Sequence, residues 1–359
     1  MKTRIKDVQY FRAVSPLSKP IADATHSIGK IAFLITRIQL ESGVVGESNL
    51  LAFHYSPQAI AGALRDLAPL AMEFETWETG RFVERASAEA EYFGANGVNR
   101  WAIAAINVAM WDAWARTLDQ PVWRLFGAYR NKVSVYGSGG WLSYSVDELI
   151  EEVAGYARRG FTAVKIKVGS GDVERDLERL AKVRETVGPR VGIMMDANQG
   201  MTVGAALELA RRAEPLNIRC FEEPVAHTDF EGFAHLRRHG GMALAMGERE
   251  YDTTALHELM SRNALDLWQP DLLRLGGVEG WRASALMAHG GGLQVQPHYY
   301  KEYDLALLCT IPNGLCCESF DWIDGLVDRP IEIRDGFARP LDEPGWGFRF
   351  KDEFLTLLD

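Results

Sequence analysis

From residue 133 to residue 317 the chain repeats one pattern: a short apolar run, a polar break, then a segment whose apolar residues recur near the helical period. The runs fall at 133–136, 163–168, 191–195, 219–221, 243–246, 264–268, 293–296 and 315–317. Short apolar runs bounded by such breaks predict buried strands, and the amphipathic segments between them predict crossover helices. Ser145 with Glu148 makes a capping-box pattern closed by Arg158, Arg159 and Gly160, while Asp172, Thr202 and Gly277 stand where three further helices can begin. Eight strands alternating with helices predict an α/β fold, a (β/α)8 TIM-like barrel, with a doubly wound open sheet as the alternative. The barrel is favoured because polar residues recur at almost every strand end instead of gathering at one switch point.

Upstream, residues 31–40 read as a strand, Glu41-Ser42-Gly43 as a turn, and Val44-Val45 as its extended continuation. The polar and small residues from 15 to 30 predict a long loop, the kind of segment that often serves as a lid. Helical spacing dominates from 57 to 118, clearest in Ile103, Ile106, Met110, Trp114 and Leu118, and Pro121 and Gly127 close it. Trp101, Trp111, Trp114 and Trp123 read as core. Beyond 326 the chain is turn-rich and is expected to return to the N-terminal region.

Composition narrows the picture. At 359 residues the chain exceeds what one core usually organises, so a large domain with a smaller one is expected. A formal charge of -10 argues against nucleic acid as the main partner, while a metal or local lysines leave an anionic small molecule open. Cys220, Cys309, Cys316 and Cys317 lie in or near apolar runs without zinc or scaffold spacing, which predicts a reduced, cytoplasmic protein. No apolar stretch reaches 18 residues and no N-terminal targeting core is present, so no membrane association is expected.

Chemistry enters at the strand ends. Lys165 and Lys167 are followed by Asp196, Glu222, Glu248, Asp271, His298 and Glu318, at steps of 29, 26, 26, 23, 27 and 20 residues from Lys167. In a barrel the C-terminal strand ends share one mouth, so Asp196, Glu222 and Glu248 would converge from consecutive strands. Three packed carboxylates repel one another, and a hard divalent cation relieves that: Mg2+ by ligand type, with Mn2+ admitted by the same oxygens. A single carboxylate reads better as a strand-end cap or a salt bridge, and three at matching strand ends reverse that preference. Asn198 can line the same site or serve the turn Asn198-Gln199-Gly200. Lys165 and Lys167 share one strand face, and crowding two ammonium groups is expected to depress one pKa and create a base; phosphate binding or structural ion pairing is the alternative. Asp271 and His298, at adjacent strand ends, read as an acid/base dyad whose tautomer the aspartate sets. Glu318 can bond a developing enolic oxygen if protonated, or pair with Lys165. Lys167 and His298 would then face each other across the metal, one removing the α-proton of a bound carboxylate and the other acting on the opposite side.

These residues carry a resemblance. Val164-Lys165-Ile166-Lys167, Met195-Asp196-Ala197-Asn198, Phe221-Glu222-Glu223-Pro224, Met246-Gly247-Glu248, Gln269-Pro270-Asp271 with Pro297-His298, and Glu318 resemble, in order, the motifs of the mandelate racemase branch of the enolase superfamily (the mandelate racemase/muconate lactonizing enzyme family). The resemblance implies an α+β capping domain at 1–128, a barrel at 129–325, a segment at 326–359 completing the cap, and an octamer or smaller homo-oligomer. It implies Mg2+-dependent α-proton abstraction from a 2-hydroxycarboxylate to a metal-stabilised enediolate, with Lys167 as base and Lys165 at the substrate carboxylate. β-Hydroxyl elimination, an acid-sugar dehydratase, stands first by family frequency. A mandelate-like racemase or epimerase using Lys167 and His298 on opposite faces, or a lactone cycloisomerase, is the alternative; outside catalysis, a degenerate binding barrel is the rival. The family's pocket wall maps to Ile21, Thr25, Ile28, Leu51 and Phe53, with His54 near the lid and Tyr299 and Phe320 where smaller aliphatic residues are usual.

Overall fold

The computed structural model describes residues 2–53 and 57–358. Its first layer is a sheet of β1 (Ile5–Ser15), β4 (Ile31–Leu40) and β5 (Val45–Leu51), with a small hairpin of β2 (Ile21–Ala22) and β3 (Ser27–Ile28) between the first two. The loop expected at 15–30 therefore has a hairpin in it. Helices α1 (Pro57–Ala71), α2 (Thr79–Gly94) and α3 (Val98–Thr117) follow, then a single turn, α4 (Val122–Leu125). Helix α3 is buried nearly all round because it lies between the sheet and the rest of the molecule. At Gly46 an added Cβ would stand 2.3 Å from the Ala109 carbonyl oxygen, so only glycine lets β5 approach α3 this closely.

The barrel strands are β6 (Val133–Gly139), β7 (Ala163–Lys167), β8 (Gly192–Asp196), β9 (Ile218–Glu222), β10 (Leu244–Met246), β11 (Leu267–Trp268), β12 (Gln294–Val295) and β13 (Cys316–Ser319). They pair in parallel in sequence order, β13 returns to β6, and a bridge from Val295 to Gly314 closes the ring. Between them run α5 (Val146–Arg158), α6 (Val173–Val187), α7 (Val203–Arg212), α8 (Phe230–His239), α9 (Thr254–Ser261), α10 (Val278–Gly290) and α11 (Lys301–Leu308). The Ser145–Glu148 capping box is formed, and Asp172 and Thr202 accept backbone N–H groups at the starts of α6 and α7. This is a TIM-like barrel, not an open sheet.

The tail serves both parts. Its hairpin, β14 (Ile333–Arg334) and β15 (Phe337–Ala338), joins the start of β6, and β16 (Thr356–Leu357) pairs with β1. Buried Asp112 on α3 ties the layers together, accepting the N–H of Glu47 at 2.9 Å, that of Trp346 at 2.8 Å and Arg116 Nε at 2.8 Å. On the barrel side, the Tyr303 hydroxyl donates to Asn49 Oδ1 and accepts the Asn49 N–H, while Tyr300 accepts the N–H of Leu51. The edge of the N-terminal sheet is thereby fixed over the helix that follows the seventh barrel strand. All four cysteines are free and buried. Among the described residues no helix is long and apolar enough to cross a membrane.

Candidate active site

Strand alternation builds the site. Tyr136, Ala163, Met194, Cys220, Ala245, Leu267 and Cys316 pack as one buried layer inside the barrel. Two residues further along, on the same inward faces, stand Ser138, Lys165, Asp196, Glu222, Gln269 and Glu318. Register then aligns them: Lys167 lies opposite Asp196, and Asp196 opposite Glu222, across β7, β8 and β9. Glu248, Asp271 and His298 follow just beyond β10, β11 and β12.

The charges interlock. Lys165 Nζ lies 2.7 Å from Glu222 Oε1 and 2.7 Å from Glu318 Oε1, and Lys167 Nζ lies 2.6 Å from Asp196 Oδ2. His298 Nδ1 is 2.8 Å from Asp271 Oδ2, and its Nε2 is 3.5 Å from Glu248 Oε2. Arg249 holds the buried Glu223 at 2.9 Å and approaches Glu248 at 3.4 Å. Gln269 Nε2 donates to Glu222 Oε2 at 2.6 Å.

Burial lowers the pKa of both lysines, yet both end above the ordinary lysine value, Lys165 through Glu222 and Glu318 and Lys167 through Asp196. This corrects the expectation of a depressed lysine: Lys165 does push Lys167 down, but the carboxylate in contact outweighs it. Glu222 is pushed up by burial and by the charge of Asp196, whereas Glu248, despite burial, is held low by His298 and Arg249. His298 rises to about 9 because Glu248 and Asp271 overcome its burial. Glu318 is lowered by Lys165 against its burial, so it is an ion-pair partner here and not a protonated donor.

As placed, Asp196 and Glu222 turn onto lysines and Glu248 onto Arg249 and His298, and among the described residues no three His, Cys, Asp or Glu side chains form a ready metal cage. The donor set nonetheless fits a hard divalent ion. Asp196, Glu222 and Glu248 offer oxygen only, Glu222 carries the strain of a like charge beside it, and buried Asn198 Oδ1 has no protein partner.

A cavity of about 560 Å³ opens above this floor. Lys167, Glu248, Asp271, His298 and Asn198 reach it, and Thr25, Ile28, Leu51, Phe53, Tyr299 and Phe320 wall it. Lys165, Asp196, Glu222 and Glu318 do not line it; they lie buried among the inward-facing residues. Ile21 is placed elsewhere, in a neighbouring cavity of about 480 Å³ that Trp141, Phe320 and Trp322 also line. These three aromatic residues border both cavities, and the Phe320 and Trp322 rings stack at 4.4 Å. His54 lies outside the described residues. Sequence reasoning missed Asp23, His26, Trp101, Trp141, Arg249, Arg274 and Trp322, all on the main cavity. A signal existed for two of them, the polar cluster Asp23-Ala24-Thr25-His26 inside an expected lid; Trp101 read as core, and Trp141 and Trp322 stand outside every motif.

Two family models cover this chain: the mandelate racemase / muconate lactonizing enzyme N-terminal domain over residues 5–127 and the enolase C-terminal domain-like family over residues 148–354. The chain belongs to the mandelate racemase/muconate lactonizing enzyme subgroup of the enolase superfamily. Among similar members of this superfamily, L-talarate/galactarate dehydratase of Salmonella typhimurium is 29% identical over 98% of this chain and 90% of its own length. Arabinonate dehydratase of Saccharolobus solfataricus is 30% identical, with 88% of each chain covered. The Salmonella enzyme's crystal structure, liganded with Mg and L-lyxarohydroxamate, superposes with a TM-score of 0.93 at 28% identity, covering 99% of this chain and 93% of that one. The enolase-superfamily architecture, a barrel beneath a capping layer, is the one described above.

Proposed function

We propose that the protein is a Mg2+-dependent acid-sugar dehydratase acting on a small 2,3-dihydroxycarboxylate. The observation that carries this is one cavity reached by Lys167 and His298 above the Asp196, Glu222 and Glu248 carboxylates, in a chain whose relatives include dehydratases of talarate, galactarate and arabinonate. Asp196, Glu222 and Glu248 would hold the ion, Mg2+ or Mn2+ by donor type, whose charge offsets that built on the substrate carboxylate as its α-proton leaves. Lys165, fixed between Glu222 and Glu318, adds a buried positive charge beneath the cavity. Lys167 would remove the α-proton as the neutral amine: once Asp196 no longer engages its ammonium group, the main contact that holds the proton on Nζ is gone and burial and Lys165 favour its loss. His298, held by Asp271, carries a proton at neutral pH and stands ready as an acid. Tyr299 and Phe320 set the width of the pocket, and the Tyr299 N–H, fixed by Glu318 at 2.9 Å, holds the ring in place.

The same pair of stations favours a second reading, racemisation or epimerisation. Incubating galactarate, L-talarate, arabinonate, D-gluconate, mandelate and a sugar-acid lactone with the Mg2+-loaded protein in deuterated water separates these readings. A 2-keto acid product establishes dehydration, inversion with the hydroxyl retained establishes racemisation, and a lactone consumed without a keto acid establishes cycloisomerisation. Binding of a substrate with no α-proton exchange would defeat all three. The proposal includes cap boundaries near 128 and 326, a cytoplasmic setting and a homo-oligomer; sedimentation of the purified protein measures the last.

A further inference from the structure

The smaller cavity, of about 480 Å³, has polar groups of its own. It lies where the cap meets the barrel, between the end of β1, helix α5 and the chain that leaves β13, and it shares with the catalytic cavity only Trp141, Phe320 and Trp322. Glu152 of α5 lines it. Gly139 makes room for that carboxylate: a Cβ there would stand 2.3 Å from Glu152 Oε2, which accepts the Gly140 N–H at 2.5 Å. Glu152 Oε1 has no hydrogen-bond partner among the described residues, and the cations around it are engaged elsewhere. Arg179 spends its guanidinium on the Gly140 and Trp141 carbonyls at 2.7 and 3.1 Å, Lys19 is held by Glu148, and Arg159 and Lys301 pair with Asp321. Burial without a contacting counter-charge pushes Glu152 up to about 7. Ser15 and Tyr144 also line the cavity, and neither hydroxyl has a partner among the described residues. The walls are otherwise apolar, from Leu17, Ile21, Leu326 and the three shared aromatic rings, and the half-exposed Val14 and Phe354 carry that character to the mouth.

We propose that this cavity is a second ligand site, built for a small organic ammonium with an aromatic body. An ammonium group supplies the counter-charge that Glu152 lacks and donates a charge-assisted hydrogen bond to Oε1, while the ring faces of Trp141 and Trp322 attract the same cation. The aromatic body leaves water for the apolar walls. Other ligand classes fit less well. An anion, a sugar acid included, would meet the carboxylates of Glu152 and Asp321 with no unengaged cation to receive it. A neutral apolar molecule would strip water from Glu152 and return nothing. A metal ion finds no cluster of ligands here among the described residues. The site is independent of which reaction the catalytic cavity performs, yet a ligand in it rests on that cavity's wall, since the shared Trp141 ring lies 5.3 Å from Lys167 Nζ.

The test is calorimetric titration of the full chain, loaded with Mg2+, at about pH 8, where Glu152 is mostly ionised. The probes are phenethylamine and 2-phenylethanol, its neutral counterpart of nearly the same shape. Phenethylamine should bind at least about tenfold more tightly than the alcohol. Glu152→Gln, which keeps the side chain's shape, should lower amine affinity about tenfold or more and leave the alcohol within about twofold. Leu17→Trp, which fills this cavity from its half-buried rim, should block both probes, whereas Leu51→Trp, which fills the catalytic cavity, should block neither. The proposal is overturned if amine and alcohol bind alike, if Glu152→Gln leaves the preference for the amine intact, or if binding survives Leu17→Trp or is lost in Leu51→Trp. It is equally overturned if phenethylamine shows no saturable binding to the wild type up to about 10 mM.

Discussion

The substitution Asp271→Asn tests the His298 station most sharply. Asp271 Oδ1 accepts the N–H groups of Leu273 and Arg274, both at 2.9 Å, and Oδ2 takes the imidazole Nδ1 at 2.8 Å. The two backbone donors fix how the introduced amide must lie: flipped, it would point its NH2 at both. The NH2 therefore faces Nδ1, forcing that nitrogen to accept and leaving the proton on Nε2. Neutral His298 then cannot take a proton from substrate, and its charged form loses a charge-assisted hydrogen bond of about 1.5–3 kcal/mol. That bond alone accounts for about 10- to 150-fold in rate, and the wrong tautomer extends the loss toward about 10⁴-fold. The assay is α-proton exchange in deuterated water, measured separately for the two stereoisomers of one 2-hydroxy acid. Exchange on the His298 face should fall by about 10²- to 10⁴-fold while exchange on the Lys167 face changes less than about threefold. Equal losses on both faces, or none on either, would refute the assignment of Asp271 and His298 to one face.

Other expectations follow from particular contacts. Chelation of divalent metal should abolish turnover, Mg2+ should restore it, and the unfolding midpoint should rise with metal concentration, by about 2.7 kcal/mol at a hundredfold excess over Kd. Glu152, which accepts the Gly140 N–H at 2.5 Å, is pushed by burial to about 7 from an ordinary glutamate value of 4.5. The folded state thus holds a proton that the unfolded state releases, so stability is greatest below pH 4.5 for this group and declines until pH 7. The full shift corresponds to about 3 kcal/mol, reduced to about 1–2 by the solvent that reaches its cavity, and Glu152→Gln should remove that slope in urea titrations from pH 5 to 8. Asp112→Ala should cost about 3–5 kcal/mol, read as a lower denaturation midpoint, because it strands Arg116 and two buried N–H groups.

Much of the site was legible because strands impose a period of two. Once Met194, Cys220 and Cys316 are taken as inward, Asp196, Glu222 and Glu318 must be inward as well, and parallel pairing in chain order sets them around one mouth. The direction of the lysine shifts was not legible. It depends on which charge touches which: Lys167 sits 2.6 Å from Asp196, a contact fixed by register across β7 and β8, not by spacing along the chain. Nor was the pocket wall legible in full. Trp141 and Trp322 lie 181 residues apart and meet only because barrel closure brings the ends of β6 and β13 together, where their rings come within 6.2 Å.

The sequence by itself determined the inventory of chemistry: two lysines two residues apart, three oxygen donors at matching strand ends, and an Asp and a His on neighbouring strands, all following from local periodicity. Tertiary structure alone decided how those groups are charged, which of them reach the cavity and what covers them. Electrostatic coupling falls steeply with distance, and those distances are set by strand register and by a lid whose Thr25 reaches across 173 residues to the Asn198 carbonyl.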